Sequence, residues 1–234
     1  NLDYAFDLNV FFSTKEDGKF VYEADVIRFL DNLHTGKFPF AESEHQQELR
    51  HTFWLLPRVA AAKAMESLLN KHSFFKDYTT VLVAGDGTSL IDDENAENIE
   101  ETAENAVRNK RSYDRVKKAI ADNPRTITLS VGQLTTGVTI PEWSAVLMLS
   151  NIKSPAFYFQ ASFRAQNSWE FQDAETGQWF RKENAYVFDF APDRTLVLFD
   201  EFANNLSDEG VRASGAVRRE NIRALINFFP VIAE

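Results

Sequence analysis

Thr135, Thr136 and Gly137 stand together in the segment TITLSVGQLTTGVTIPEWSAVLMLSNIKSPAFYFQASFRAQN, residues 126–167, and Gln160 and Arg164 follow within it. Two hydroxyls beside a glycine, just past an apolar strand, can offer side-chain and backbone donors to a phosphate oxygen. The glycine lets the backbone approach closely. The same triplet also serves an ordinary strand-end turn. Gln160 and Arg164 are four apart and so share one face of a helix. Arg164 sits amid Phe157, Phe159 and Phe163, and a guanidinium in apolar company needs an anionic partner. That partner is either an internal carboxylate or a phosphoryl group, whose transition-state charge an arginine stabilises.

Short apolar strands alternating with helices have to position these groups. Strands are expected at Thr52–Leu56, Thr79–Val83, Thr126–Val131, Ala145–Leu149 and Tyr186–Phe190. Helices are expected at 58–70, with Pro57 near its first turn, at 155–165 and at 193–205. This alternation implies a parallel sheet covered on both faces, in which ligands gather at the C-terminal ends of strands. Residues 1–48 read differently, as a linker or small helical appendage. They hold a strand-like Val10-Phe11-Phe12, a turn at Asp17-Gly18 and a helix over 24–33, in which Val26, Ile27, Phe29, Leu30 and Leu33 fall at helical spacing. A loop with Gly36 and Pro39 and a polar run through Gln47 follow.

Between 92 and 118 acidic residues come first and basic residues last, which suits the dipole of one long helix. The basic half is either a solvated face or a phosphate contact. Residues 168–190 read as a hairpin, with Trp169 and Phe171 on one side and Trp179 opening the return. Its aromatics either pack on their own sheet or stack on bases.

Composition excludes several classes. There is no cysteine, hence no disulfide scaffold and no thiolate zinc site. His34, His45, His51 and His72 show no close metal-ligand spacing, and no metal site is expected. No run approaches the roughly 18 apolar residues of a membrane span. Lys and Arg number 25 against 35 Asp and Glu, a net charge of −10, which argues against strong independent binding to duplex DNA. The chain starts Asn1-Leu2-Asp3 without an initiator Met, and is expected to be a fragment of a longer, cytoplasmic protein. The sequence has no G-x-x-x-x-G-K-[ST], so the phosphate loop is absent. Leu196 to Glu201 imitates a strand ending in a magnesium-binding acidic pair, but no phosphate loop precedes it. Gly85-Asp86-Gly87 is not a dinucleotide fingerprint, since Leu90 stands in the third glycine position.

Taken in order, a Thr-Thr-Gly-x-x-x-Pro loop, a strand, and a helix with Gln-x-x-x-Arg resemble motifs V and VI of superfamily-two helicases. HTFWLLPRVAAAKAMESLL, from His51, is similar to motif IV. The resemblance covers roughly residues 50–234 and is strongest to the DEAD/DEAH-type helicase domains of type I and type III restriction-modification enzymes, which have counterparts of TTGVTIPEW, FRAQ and YVFDFAPDR. It implies an α/β fold, a RecA-like three-layer sandwich with a mainly parallel sheet of six or seven strands, over 49–234. It further implies that Thr135, Thr136 and Gly137 line a nucleic-acid backbone and that Arg58 meets a phosphate at a helix start. Gln160, Thr139 and Asn167 would lie at the ATP cleft, with Arg164 as the arginine finger. Many relatives carry Asp at the position of Thr139 and a second arginine at that of Asn167. ATP and Mg2+ would be held mainly by the first RecA-like domain of the parent chain. DNA and methyltransferase or nuclease domains or subunits are the further partners implied. The fragment alone is expected to be inactive. The competing expectation is an ATP-independent binding or scaffolding module on a similar sheet, marked by an Arg164 sealed in an internal salt bridge.

Overall fold

Alternating side chains of the strands face two apolar layers, and this makes the sheet the centre of the molecule. In β1 (His51–Leu55) every residue is buried: Trp54 joins one cluster, Phe53 and Leu55 the other. A strand apolar on both faces belongs inside a parallel sheet. The computed structural model describes residues 6–36, 39–41, 43–84, 103–135, 138–173, 176–191, and 197, 220 and 223. Outside these lie Thr136, Gly137, residues 92–102 of the 92–118 stretch, the Gly85–Gly87 turn, and nearly all of the expected 193–205 helix with its Leu196–Glu201 run.

The sheet also contains β2 (Thr79–Val83), β3 (Thr126–Ser130), β4 (Ala145–Met148) and β7 (Tyr186–Asp189). The order is β2-β3-β1-β4-β7, and every pairing is parallel. This sheet therefore has five strands among the described residues, where six or seven were expected. The hairpin strands β5 (Glu170–Gln172) and β6 (Trp179–Arg181) pair only with each other.

Helices cover both faces. On one side α4 (Val59–Leu69) contributes Ala61, Ala62, Ala64, Met65 and Leu69, and its small residues let it approach the sheet. On the other side lie α5 (Ala103–Asp122) and α6 (Pro155–Ser162), supplying Val116, Phe157, Tyr158 and Phe159 to the second cluster. The result is a three-layer α/β sandwich on a parallel sheet, the architecture that the RecA-like resemblance implies. No helix among the described residues is long and apolar enough to cross a membrane.

The N-terminal segment departs from expectation in two places. Val10-Phe11-Phe12 is not a strand: α1 (Leu8–Phe11) forms there because the Asp7 side chain caps it, accepting from the amides of Asn9 and Val10. The polar run after Pro39 winds into a further helix, α3 (Ser43–Glu48). The expected helix over 24–33 is α2 (Glu23–Thr35), burying Val26, Leu30 and Leu33, while Ile27 is exposed. Leu8, Phe12, Phe20, Val26, Leu30, Leu33 and Phe40 share one cluster with Trp54 and Met65.

Candidate functional site

The loop after β3 is locked before its Thr-Thr-Gly segment is complete. Ser130 Oγ donates to the carbonyl of Gln133 at 2.5 Å, and Thr135 Oγ1 to that of Gly132 at 2.7 Å. Gly132 and Leu134 both take positive φ, 78° and 60°. For leucine this conformation costs energy, and burial of its side chain in the α5–α6 cluster holds it there. Ser112 of α5 donates to Gln133 Oε1 at 3.1 Å, with both side chains buried. Thr135 is therefore turned inward, its hydroxyl engaged in the turn. Thr139, beyond the glycine, is exposed.

Ser154 starts α6: its hydroxyl accepts from the Phe157 amide, and Pro155 takes the first turn, where its missing N–H costs nothing. The helix is apolar nearly all round because it lies against the sheet, and a 3-10 turn over Phe163–Ala165 ends it. Gln160 is exposed; Arg164 and Asn167 are half-buried. Arg164 Nε donates to the Gln160 carbonyl at 3.1 Å, and its guanidinium also donates to the carbonyl of Val138. Among the described residues no carboxylate pairs with Arg164. Burial lowers its pKa from the usual arginine value. Through this side chain the structure joins Val138, just past Thr-Thr-Gly, to the Gln-x-x-x-Arg helix. An arginine held by neutral carbonyls keeps its charge uncompensated, with further N–H donors for an anionic oxygen.

Arg58 is exposed at the start of α4, as its N-cap residue with extended backbone. Pro57 precedes that cap and so lies outside the helix it was expected to open.

Lys182, just past β6, carries no signal in the sequence. Its Nζ donates to the carbonyls of Pro141 at 2.8 Å, Trp143 at 2.9 Å and Ala165 at 2.9 Å. Burial pulls its pKa down to about 8, against the Glu142 carboxylate, which raises it. Only contacts between distant segments reveal this residue; no local spacing signals it.

Trp169, Phe171 and Phe180 of the hairpin lie half-buried against one another. Trp169 stacks on Phe171 at 4.5 Å between centroids, and Phe171 on Phe180 at 5.2 Å. The Arg50 guanidinium lies 4.5 Å from the Phe171 ring. Trp179, on the opposite face of the hairpin, is 67% exposed.

One cluster of metal-ligand types also forms, from Asp31, His34 and His72. His72 Nδ1 accepts from the amides of Phe74 and Phe75, at 3.2 and 3.4 Å. Its Nε2 therefore carries the proton and donates to Asp31 Oδ1 at 3.2 Å. A metal on Nε2 would drive the proton onto Nδ1, against two amide donors, so the bond favours the metal-free arrangement and ties α2 to the turn after α4.

No family model matches the chain. It is 27% identical over 201 residues to the C-terminal part of a provisionally named type II restriction enzyme and methyltransferase of Mycoplasma pneumoniae, a match covering 82% of this chain and 25% of that protein. The chain thus spans about a quarter of the length of the curated relative it matches. Among solved structures, Mss116p DEAD-box helicase domain 2 bound to an RNA duplex overlays with a TM-score of 0.42 at 15% identity, covering 93% of this chain and 65% of that one. The C-terminal part of the Fun30 ATPase domain gives 0.40 at 10%, covering 92% and 57%. The ATP-dependent type ISP restriction-modification enzyme LlaBIII bound to DNA gives 0.39 at 16%, covering 90% and 15%. The chain's structural neighbours are thus the second domain of a DEAD-box helicase, part of an ATPase domain and a restriction-modification enzyme, and its curated relative is of the restriction-modification kind.

Proposed function

We propose that this chain is the C-terminal motor domain of an ATP-dependent DNA helicase or translocase from a restriction-modification-type protein. The observation that carries the reading is the state of Arg164: half-buried, tied by carbonyls to Gln160 and Val138, and without a carboxylate partner among the described residues. A cation kept without an anion, on a helix lashed to a Thr-Thr-Gly loop, is prepared for an anion from outside the domain.

In this reading the domain closes on a first motor domain that holds most of ATP and Mg2+. Arg164 then stabilises the charge on the transferring γ-phosphoryl group by position and electrostatics. Gln160 and Thr139, both exposed, line the cleft with Asn167. Thr136 and Gly137 meet the DNA backbone, while Thr135 shapes their loop from inside. Arg58, at the start of α4, adds a phosphate contact.

The test is DNA-stimulated ATP turnover by the full parent protein, wild type against Arg164→Ala. A fall of about 10³-fold or more with ATP binding kept is the arginine-finger outcome. Unchanged turnover by a folded variant would make Arg164 structural and put the scaffolding alternative ahead.

A further inference from the structure

Two cations hold the same pair of segments together, and the motor reading uses only one of them. Arg164 ties residue 138 to its own helix. Lys182 arrives from the hairpin, a third part of the chain, and places its ammonium between the carbonyls of Pro141 and Trp143 on one side and Ala165 on the other. An ammonium has three N–H bonds, and each here has a carbonyl. Among the described residues it forms no ion pair: the adjacent Glu142 carboxylate goes instead to Lys117 of α5. Carbonyl ligation gives up Coulomb attraction and gains geometry, since three backbone points are fixed about one atom. Ala165 is the residue after Arg164, and Pro141 to Trp143 is the exit of the Thr-Thr-Gly loop.

We propose that Lys182 is a positioning residue for the interdomain site, pinning the exit of the Thr-Thr-Gly loop to the turn that carries Arg164. The assignment of a purpose to this pin rests on the motor reading above; the pin itself does not. A change in the hairpin would reach Arg164 through Lys182, without any contact between the hairpin and ATP.

Two measurements separate the claims. The first is hydrogen exchange on this 234-residue chain, wild type against Lys182→Met, which keeps the apolar stem and removes all three donors. Faster exchange confined to residues 138–143 and 163–166 is expected; unchanged exchange in both segments would overturn the pin. Should the variant not fold, the wild type carries the same test between pH 7 and 9, with rates corrected for base catalysis. A neutral amine keeps two N–H bonds and must release a carbonyl. Glu142, with Lys117 behind it, is the charged group that faces the ammonium. Selective loosening of the two segments supports the proposal, and a uniform change counts against it.

The second measurement is DNA-stimulated ATP turnover by the parent protein. Lys182→Met should lower kcat about tenfold or more with the KM for ATP little changed, as expected when a reacting group is misplaced rather than lost. If Arg164→Ala abolishes turnover and Lys182→Met leaves kcat intact, the positioning role fails and the motor reading stands. If Arg164→Ala itself leaves turnover intact, the motor reading fails, and the exchange result alone decides the pin.

Discussion

Arg164 donates from its guanidinium to the carbonyl of Val138, 26 residues earlier in the chain. One side chain thereby belongs to both segments that the sequence singled out. Replacement tests what the bond is for. Arg164→Lys keeps the charge but loses the planar fork that can hold two carbonyls and still face a phosphoryl group. Turnover in the parent protein should therefore fall nearly as far for Lys as for Ala, about 10³-fold. Steady-state kinetics of the two variants, beside their ATP affinities, make the comparison. Near-wild-type turnover by Arg164→Lys would show that charge alone suffices.

Leu134 carries the strain of the loop. Its φ of 60° is held by a side chain only 1% exposed. Leu134→Ala removes that anchor and leaves the unfavourable backbone, so urea denaturation should show a loss of about 2–5 kcal/mol. Leu134→Gly loses the same packing but relaxes the backbone, and should recover about 1 kcal/mol relative to alanine. An alanine variant as stable as wild type would mean that the turn is held by Ser130, Gln133 and Thr135 alone.

His51 makes the fold sensitive to acid. It is buried beside Thr126, with 2.9 Å between Nδ1 and Oγ1. Burial lowers its pKa from 6.5 to about 4, with Arg50 and Lys117 adding to the effect and Glu142 opposing it. The unfolded chain therefore takes up the proton first as pH falls. The His51 contribution is fully present above pH 6.5 and is lost on the way to pH 4, at most about 3 kcal/mol. Denaturation of wild type and His51→Gln at pH 7 and pH 4.5 isolates it. The variant should lose less stability on acidification, and equal losses would assign the acid sensitivity to other groups.

The strands were legible because a parallel sheet buries both faces of each strand. Short apolar runs such as Thr52–Leu56 and Ala145–Leu149 then announce themselves within a residue of their observed bounds. The bonded pair of segments was legible as a motif order, with nothing in it to show that Arg164 would reach the Val138 carbonyl. Tertiary partners erased the local signal elsewhere. Val10-Phe11-Phe12 has strand-like residues, yet Asp7 caps a helix there, and Asp7 and Asn9 bond Asn151 across the fold. Lys182 looked like any hairpin lysine, since its three acceptors lie 17, 39 and 41 residues away. His72 meets Asp31 across 41 residues for the same reason.

Removing residues 1–48 tests their standing as a linker or appendage. Leu8, Phe12, Phe20, Val26, Leu30, Leu33 and Phe40 are each at most 3% exposed and sit in one cluster with Trp54, Met65 and Leu129. Burying one such side chain is worth about 1.5–3 kcal/mol, so the set rivals the ~5–15 kcal/mol that keeps a domain folded. Truncation also strips Asp7 and Asn9 from Asn151, in the loop that leads from β4 into α6. A chain of residues 49–234 should therefore lose its cooperative urea transition and bind hydrophobic dyes. A sharp transition close to that of the full chain would instead establish residues 1–48 as a separable appendage, with the sheet and α4 able to close their own core.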